Sequence, residues 1–515
     1  MTGLTRRRFL RNSSALATAA AFGYGCSNGN DNANNSNNTS AIVIGSGFAG
    51  SVAALRLGAA GISTIVLERG QQWTWQGHDT FPTIANPDRR TTWFGNVDGL
   101  TGFSPVTPWA GMIERVTGDT IDAVCPAVVG GGSLVYGGVL IQPRRELFSD
   151  VFAQINYDDM DSLYFPRVLA QIQAGRIPDD ILATQHYTAQ RTFIADTTAA
   201  GFELIRPYTS FDWNIIRREI EGDLPPAASA SEYVYGCNSN AKLSTDKNYL
   251  RDALATGNVQ LRSLTEVEEI RELDRGGYAV TCRRITPDGE VLERYELNAS
   301  HVFLAAGSLN TGKLLLKSQA SGALHGANDR IGKSWGTNGD QLLLELSNSP
   351  VAGAQGGPAC IAAVDASNVG YPVTFMHSPA AVPANVQIQL GMSVPDELGE
   401  LLYDPATNAV TVRWPADAAT PSAVARAESF QRLLDQTGGS DISGSAGKPS
   451  VWHPLGGAAM GDACDYLGQL YGYRNLFVID GSLLPGSAAG VNPALTIAAN
   501  AERIMEQLVP TLRSS

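Results

Sequence analysis

The chain has 515 residues, 43% hydrophobic and 17% charged, with a formal net charge of −13. That length predicts about two domains around a large core, and the acidic balance, with no basic stretch beyond the N-terminus, excludes nucleic acid as an expected partner. Its six cysteines (Cys26, Cys125, Cys237, Cys282, Cys360, Cys464) include no CxxC pair, so neither a metal site nor a disulfide framework is expected.

In chain order, residues 1–26 read as an export signal. Arg6-Arg7-Arg8-Phe9-Leu10 is a twin-arginine pattern, and Ala15 to Tyr24 is a weakly hydrophobic, alanine-rich run too short to span a bilayer as a mature anchor. Cys26 is a candidate lipid-attachment site, although Gly23 and Tyr24 depart from the residues usual before such a cysteine. Residues 27–40 are almost all Asn, Ser and Gly and are expected to form a flexible tether.

The stretch that follows organises the chain. Ala41 to Ile44 is an apolar run suited to a buried parallel strand, and it leads into Gly45-x-Gly47-x-x-Gly50. Ala53, Ala54, Leu55 and Leu57 continue at helical spacing, and Ser63 to Leu67 is a second strand ending at Glu68. Strand, glycine turn, helix, strand and acid form a dinucleotide-binding fingerprint. Gly45 turns the chain, Gly47 lets backbone approach a pyrophosphate, Gly50 lets helix and strand pack, and Glu68 accepts from a ribose diol. The fingerprint does not separate FAD from NAD.

Beyond Glu68, aromatic residues among Pro and Gly (Trp73, Trp75, Trp93, Phe94, Phe103, Trp109) predict a long irregular region, a lid or an aromatic cover. Gly130 to Gly138 is a second glycine-rich run, able to bend against a planar ring or a phosphate. Residues 151–230 read as mostly helical, with Met160 to Ile172, Ile181 to Ala200 and Ile215 to Ile220 in phase. A helix at Tyr249 to Ala255 precedes strands at Val259 to Leu264 and Val267 to Leu273. A hairpin is predicted from Tyr278 to Ile285 and Val291 to Leu297, then a separate buried strand from His301 to Leu304 that ends in Ala305-Ala306-Gly307-Ser308 and a helix. Residues 330–450 alternate and are broken by prolines, with strands at Gln341 to Leu346, Val386 to Met392 and Ala409 to Trp414. The chain closes with His453-Pro454-Leu455-Gly456-Gly457, a strand ending in Asp480-Gly481-Ser482, and a helix opening at Asn492-Pro493 and running to about Leu508.

From about Ala41 to Leu508 these motifs, together with Asn86-Pro87-Asp88-Arg89-Arg90 and Trp93-Phe94, resemble the glucose–methanol–choline flavin oxidoreductases. They are most similar to the bacterial cholesterol oxidases that hold FAD non-covalently. The resemblance implies an α/β fold, with a Rossmann-like FAD-binding domain (41–150, 234–330 and 450–515) and a substrate-binding domain (151–233 and 331–449) built on a mixed or antiparallel sheet covered by helices. It implies that Gly45, Gly47 and Gly50 sit at the FAD pyrophosphate and Glu68 at the adenosine ribose. Gly130, Gly131, Gly132 and Ser133 would line the flavin side, Val267 the adenine side, and Asp480 the pyrophosphate–ribityl region. His453 and Asn492 would face the flavin ring. Their chemistry suits alcohol oxidation: an imidazole takes or shares the hydroxyl proton, and an amide steadies the oxygen. His78, His186, His301 and His325 lack such a context, although His78 is the one alternative for covalent flavin attachment.

The sequence also departs from those relatives. They carry a glutamate at the base of the substrate cavity, whereas Gly370 to Met392 holds no acid. Gapless alignment places Thr374 at that point and a one-residue gap places His377 there, which makes His377 a candidate replacement base. Tyr136 replaces an asparagine near the flavin, and Ala494 an aromatic after Asn-Pro. The expected activity is oxidation of a bulky apolar alcohol, sterols included, without efficient isomerisation, and with oxygen or a membrane quinone or cytochrome as electron acceptor. A FAD-containing cyanohydrin lyase and a flavin-stabilised binding protein are the alternatives. The expected location is periplasmic or extracellular, with membrane association if Cys26 carries a lipid.

Overall fold

The computed structural model describes residues 38–512 apart from 327, 349–354, 369, 381–382, 416–419 and 447. The expected export signal, Cys26 and the expected tether up to residue 37 lie outside the described residues.

Ala41, Ile42 and Val43 have no exposed surface, because their strand, Asn38–Ile44, runs through the middle of a seven-stranded sheet. It begins three residues earlier than the apolar run. Thr39 and Ser40, expected in the tether, are strand residues, with Thr39 opposite Ala299. Thr64–Leu67 lies parallel on one side, followed by Val259–Arg262. Val291–Leu304 lies parallel on the other side. Where sequence alone predicts two strands, Val291–Leu304 is one strand of 14 residues. No glycine or proline interrupts it between Leu297 and His301, so nothing breaks the extended backbone. Its far edge changes partner part-way. Val291 to Ala299 pairs antiparallel with Tyr278–Ile285, which pairs in turn with Thr265–Glu272, and Val302 to Leu304 pairs parallel with Leu476–Val478.

The helices Phe48–Ala59, Tyr249–Ala255 and Ala494–Leu512 pack together against this sheet, with Ala53, Leu57, Ile504 and Met505 in the shared core. Glu502 is fully buried there but well partnered. Arg56 donates to both of its oxygens, at 2.7 and 2.6 Å, and the Tyr249 hydroxyl donates at 2.9 Å, which offsets the cost of burying the charge. The helical stretch 157–172, with a π turn at Met160–Tyr164, packs Met160, Phe165, Val168 and Ile172 into this same core. By packing it belongs with the nucleotide-side sheet, although sequence assigns 151–233 as a block to the substrate domain.

The second main sheet is antiparallel throughout. Its order is Ser440–Asp441, Gln341–Leu346, Val386–Met392, Val373–His377, Ala362–Asp365, Glu203–Ile205. Alternation along its strands gives it two different faces. Leu343, Ala363, Val373 and Phe375 pack with Phe193, Phe430, Leu433 and Leu434 of the helices Thr188–Ala199 and Pro421–Thr437. Leu342, Leu344, Met376, Ile388 and Leu390 point the other way, into a cavity. The helix Pro421–Thr437 is not among the expected elements, although Pro421 at its first turn and Gly438 in a left-handed C-cap are ordinary helix bounds. Among the described residues no helix is long and apolar enough to cross a membrane, and the five described cysteines are free and buried.

Candidate active site

The first glycine turn is shaped by backbone contact. Gly45 has φ +101°, and a Cβ on Gly50 would lie 2.0 Å from the Gly45 carbonyl oxygen. Gly50 therefore serves packing and does not line the cavity, a correction to its expected place at the pyrophosphate. Ser46 lies between the glycines, and their spacing does not mark it. Its N–H and hydroxyl both donate to Glu68 Oε2, at 3.1 and 2.7 Å, and its oxygen accepts from the Gly130 N–H at 3.0 Å. One buried hydroxyl thus joins the first turn, the acid after the second strand and the second glycine run.

In that second run Gly131, at φ +53°, sits against Gly47, and a Cβ on it would come within 2.6 Å of the Gly47 Cα. Gly131 and Gly132 line the cavity. Gly130 and Ser133 do not, and they stabilise the run from behind: the Ser133 hydroxyl donates to the Gly130 carbonyl at 2.6 Å and accepts from the Thr245 N–H at 2.9 Å. Lys242 is buried beneath the run and donates to the carbonyls of Leu134 and Tyr136, both at 2.8 Å, and burial pushes its amine down to about 7. The Tyr136 ring lies edge-on to Phe48, with centroids 5.3 Å apart, and its hydroxyl donates to Ser210.

A single cavity of about 1160 Å³ runs from Gly45 and Gly47 past Glu68, Val267, Gly131 and Asp480 to His453, Asn492 and the apolar face of the second sheet. That exceeds the roughly 300–1,000 Å³ of an ordinary small-molecule site and leaves room for a cofactor and a substrate together. The residues fit FAD. The helix Phe48–Ala59 opens at Gly47 with no side-chain cap and no acid in its first turn, so its N-terminal dipole is left for a phosphate. Asn492 Oδ1 is buried at the other end without a protein partner. Asp480 is committed to the protein: it accepts from the Gly307 N–H and the Thr311 hydroxyl, both at 2.7 Å, and from the Ser482 N–H at 2.9 Å. Burial raises its carboxyl above the usual range despite these bonds. His78 does not line the cavity.

At the junction of the two sheets, His453 Nε2 lies 3.5 Å from Asn492 Nδ2. Its other nitrogen, Nδ1, lies 2.8 Å from Asp340 Oδ2, a close contact without hydrogen-bond alignment. The Asp340 side chain is 2% exposed. Asn338 holds it, donating to Asp340 Oδ1 at 3.2 Å and to the Val491 carbonyl at 2.9 Å, and accepting from the Ala488 N–H at 2.8 Å. Asp340 and Asn338 are missing from the sequence-based candidates. Thr337-Asn338-Gly339-Asp340 reads as a turn, but nothing in its spacing links it to His453.

His377 is not in the cavity. It ends the strand Val373–His377 on the helix side of the sheet, 5.6 Å ring to ring from Phe193, and desolvation there pushes its imidazole down to about 4. This corrects its candidacy as a base. Thr374 is also absent from the lining, and from this part of the strand Met376, Ser378, Pro379 and Ala380 supply the wall.

A glycine turn on a mainly parallel sheet, opening into a cavity floored by the apolar face of an antiparallel sheet, is the arrangement of a dinucleotide-binding layer joined to a separate substrate layer. The chain belongs to the GMC oxidoreductase family, which it matches over residues 39–335 and 402–501. It is 24% identical over 536 residues to a cholesterol oxidase of Acinetobacter baumannii, covering 91% of this chain and 94% of that one. It is 25% identical over 535 residues to a cholesterol oxidase of Mycobacterium tuberculosis, covering 90% and 89%. The fold matches the solved structure of a fungal aryl-alcohol oxidase with a TM-score of 0.64 at 13% identity, over 92% of this chain and 99% of that one. As a member of this family the protein is an oxidoreductase acting on CH–OH donors.

Proposed function

We propose that this protein holds FAD non-covalently and oxidises the hydroxyl of a bulky, mainly apolar alcohol, a sterol 3β-hydroxyl being one candidate. The observation that carries this reading is the placement of Leu342, Leu344, Met376, Ile388 and Leu390 in the same cavity as His453 and Asn492. An apolar wall selects the body of the substrate and two polar groups address its hydroxyl. In this reading His453 takes the hydroxyl proton and the Asn492 amide donates to the oxygen as negative charge develops on it. Bound FAD supplies the hydride acceptor. Gly45 and Gly47 would hold its pyrophosphate, Glu68 and Val267 its adenosine end, and Gly131 and Gly132 would line its flavin side. Oxygen, or a membrane quinone or cytochrome, would serve as the electron acceptor. Export by the twin-arginine route, with or without a lipid on Cys26, places the reaction outside the cytoplasm.

The test is an anaerobic screen of alcohols against the flavin-loaded protein, followed by flavin absorbance. Bleaching by sterols or other large apolar alcohols, and not by small polar ones, is the expected result. Bleaching by none of them, or by small polar alcohols alone, would sink the proposal.

A further inference from the structure

We propose that Asp340 is a positioning residue for this reaction: it fixes the neutral His453 ring in the tautomer that carries its proton on Nδ1 and leaves Nε2 a bare lone pair. This rests on the reading of His453 given above and extends it to a residue that no motif marks.

The chemistry of the two contacts sets the tautomer. An ionised carboxylate only accepts hydrogen bonds, so its 2.8 Å approach to Nδ1 is favourable only if Nδ1 carries a proton. An amide nitrogen only donates, and Asn492 Nδ2 is the atom turned toward Nε2, at 3.5 Å. Both neighbours therefore call for the same tautomer. The contacts are loose, as catalytic hydrogen bonds often are before substrate arrives.

The position of Asp340 is also over-determined. Asn338 ties its carboxylate to the backbone at Ala488 and Val491, the loop that presents Asn492. Any shift of the Asp340 turn is thereby passed to both residues at the reacting end. Among the described residues no other ion pair reaches Asp340 or His453. Burying a carboxylate with so little cationic compensation is costly, and the cost is repaid when the ring opposite becomes charged. In the reaction the substrate O–H bond breaks, its electron pair stays on oxygen and the proton joins Nε2. The resulting imidazolium then faces an anion already in place. Asp340 is absent from the cavity lining, so it acts through His453.

The test uses the flavin-loaded full chain. In the ¹⁵N spectrum of histidine-labelled protein, the signals lost in His453→Gln should report Nδ1–H and an unprotonated Nε2. Asp340→Asn should move the ring toward Nε2–H and slow anaerobic flavin reduction roughly 10²- to 10⁴-fold, with little change in KM. Asp340→Glu should recover part of the rate. A neutral Nε2–H ring in the parent, a doubly protonated ring across the working pH range, or an Asp340→Asn variant that reduces at the parent rate would each overturn the proposal. If Asp340→Asn does not fold, the parent spectrum and Asp340→Glu decide. If His453→Ala also reduces at the parent rate, the reading of the site itself has failed, and not only the role of Asp340.

Discussion

Ser46 shows how much of a cofactor turn is invisible in a glycine pattern. The spacing Gly45-x-Gly47-x-x-Gly50 identifies the turn because only glycine tolerates the backbone contact of 2.0 Å that a Cβ would make there. The serine between the glycines is free in the pattern, yet it joins Glu68 to Gly130. Similarly, the neighbours of His453-Pro454 and Asn492-Pro493 in sequence say nothing about Asp340, because the contact is made across distant segments. The expected consequence at this scale concerns His453. His453→Ala should keep its FAD and slow flavin reduction by about 10²-fold or more, the usual worth of a placed acid–base group. Stopped-flow reduction beside an absorbance-based flavin content separates the two effects, and an unchanged rate would remove His453 from the chemistry.

The second sheet was legible only in part. Gln341–Leu346 and Val386–Met392 stand out as strands, but Ala362–Asp365 and Val373–His377 do not, because small residues and a buried Thr and His mask their alternation. The same alternation decides the fate of His377. Val373, Phe375 and His377 face the helices while Met376 faces the cavity, so Met376 reaches the substrate side and His377 does not.

Two outcomes follow. His377 has its imidazole pushed down to about 4 in the folded protein, against an ordinary value of 6.5. Between those values the unfolded chain binds more protons, so stability rises with pH and is lost as pH falls from about 6.5 to 4, by at most roughly 1.4 kcal/mol per unit. His377→Phe should flatten that part of a denaturant-melt series; an unaltered acid limb would show that other groups dominate it. Among the described residues, meanwhile, those of the second sheet that face the cavity (Leu342, Leu344, Met376, Ile388, Leu390) include no base for moving a double bond, which needs a group that takes a proton from one carbon and returns it to another. A 3β-hydroxy-5-ene steroid, if oxidised, should give mainly the unconjugated 5-en-3-one. Conjugated-enone absorbance growing as fast as the flavin bleaches would contradict this.

For the molecule as a whole, the glycine motifs and their order along the chain were enough to identify the family and both layers. What they could not convey is how the layers interleave. Residues 157–172 pack with the last helix, and the turn at Asn338 reaches the loop at Val491. The export reading belongs to this scale too. Replacing Arg6 and Arg7 together with lysine should leave folded, flavin-loaded protein in the cytoplasm, as measured by cell fractionation. Export at the parent level would point to another route.

Leu476–Val478 joins the parallel sheet beside Val302–Leu304, a strand that leaves the ribosome far ahead of it. Ala494–Leu512, which covers Phe48–Ala59, emerges later still. A growing chain therefore displays the complete glycine fingerprint for most of its synthesis without the strand and helix that finish the layer behind it. The expected outcome is that flavin capture is a late event, after translation has passed Asn492, and on the proposed export route it would set the earliest moment at which the chain is ready to leave. Chains stopped at Arg474 should accumulate without flavin even when FAD is abundant. Retention of FAD by such chains would show that loading begins during synthesis.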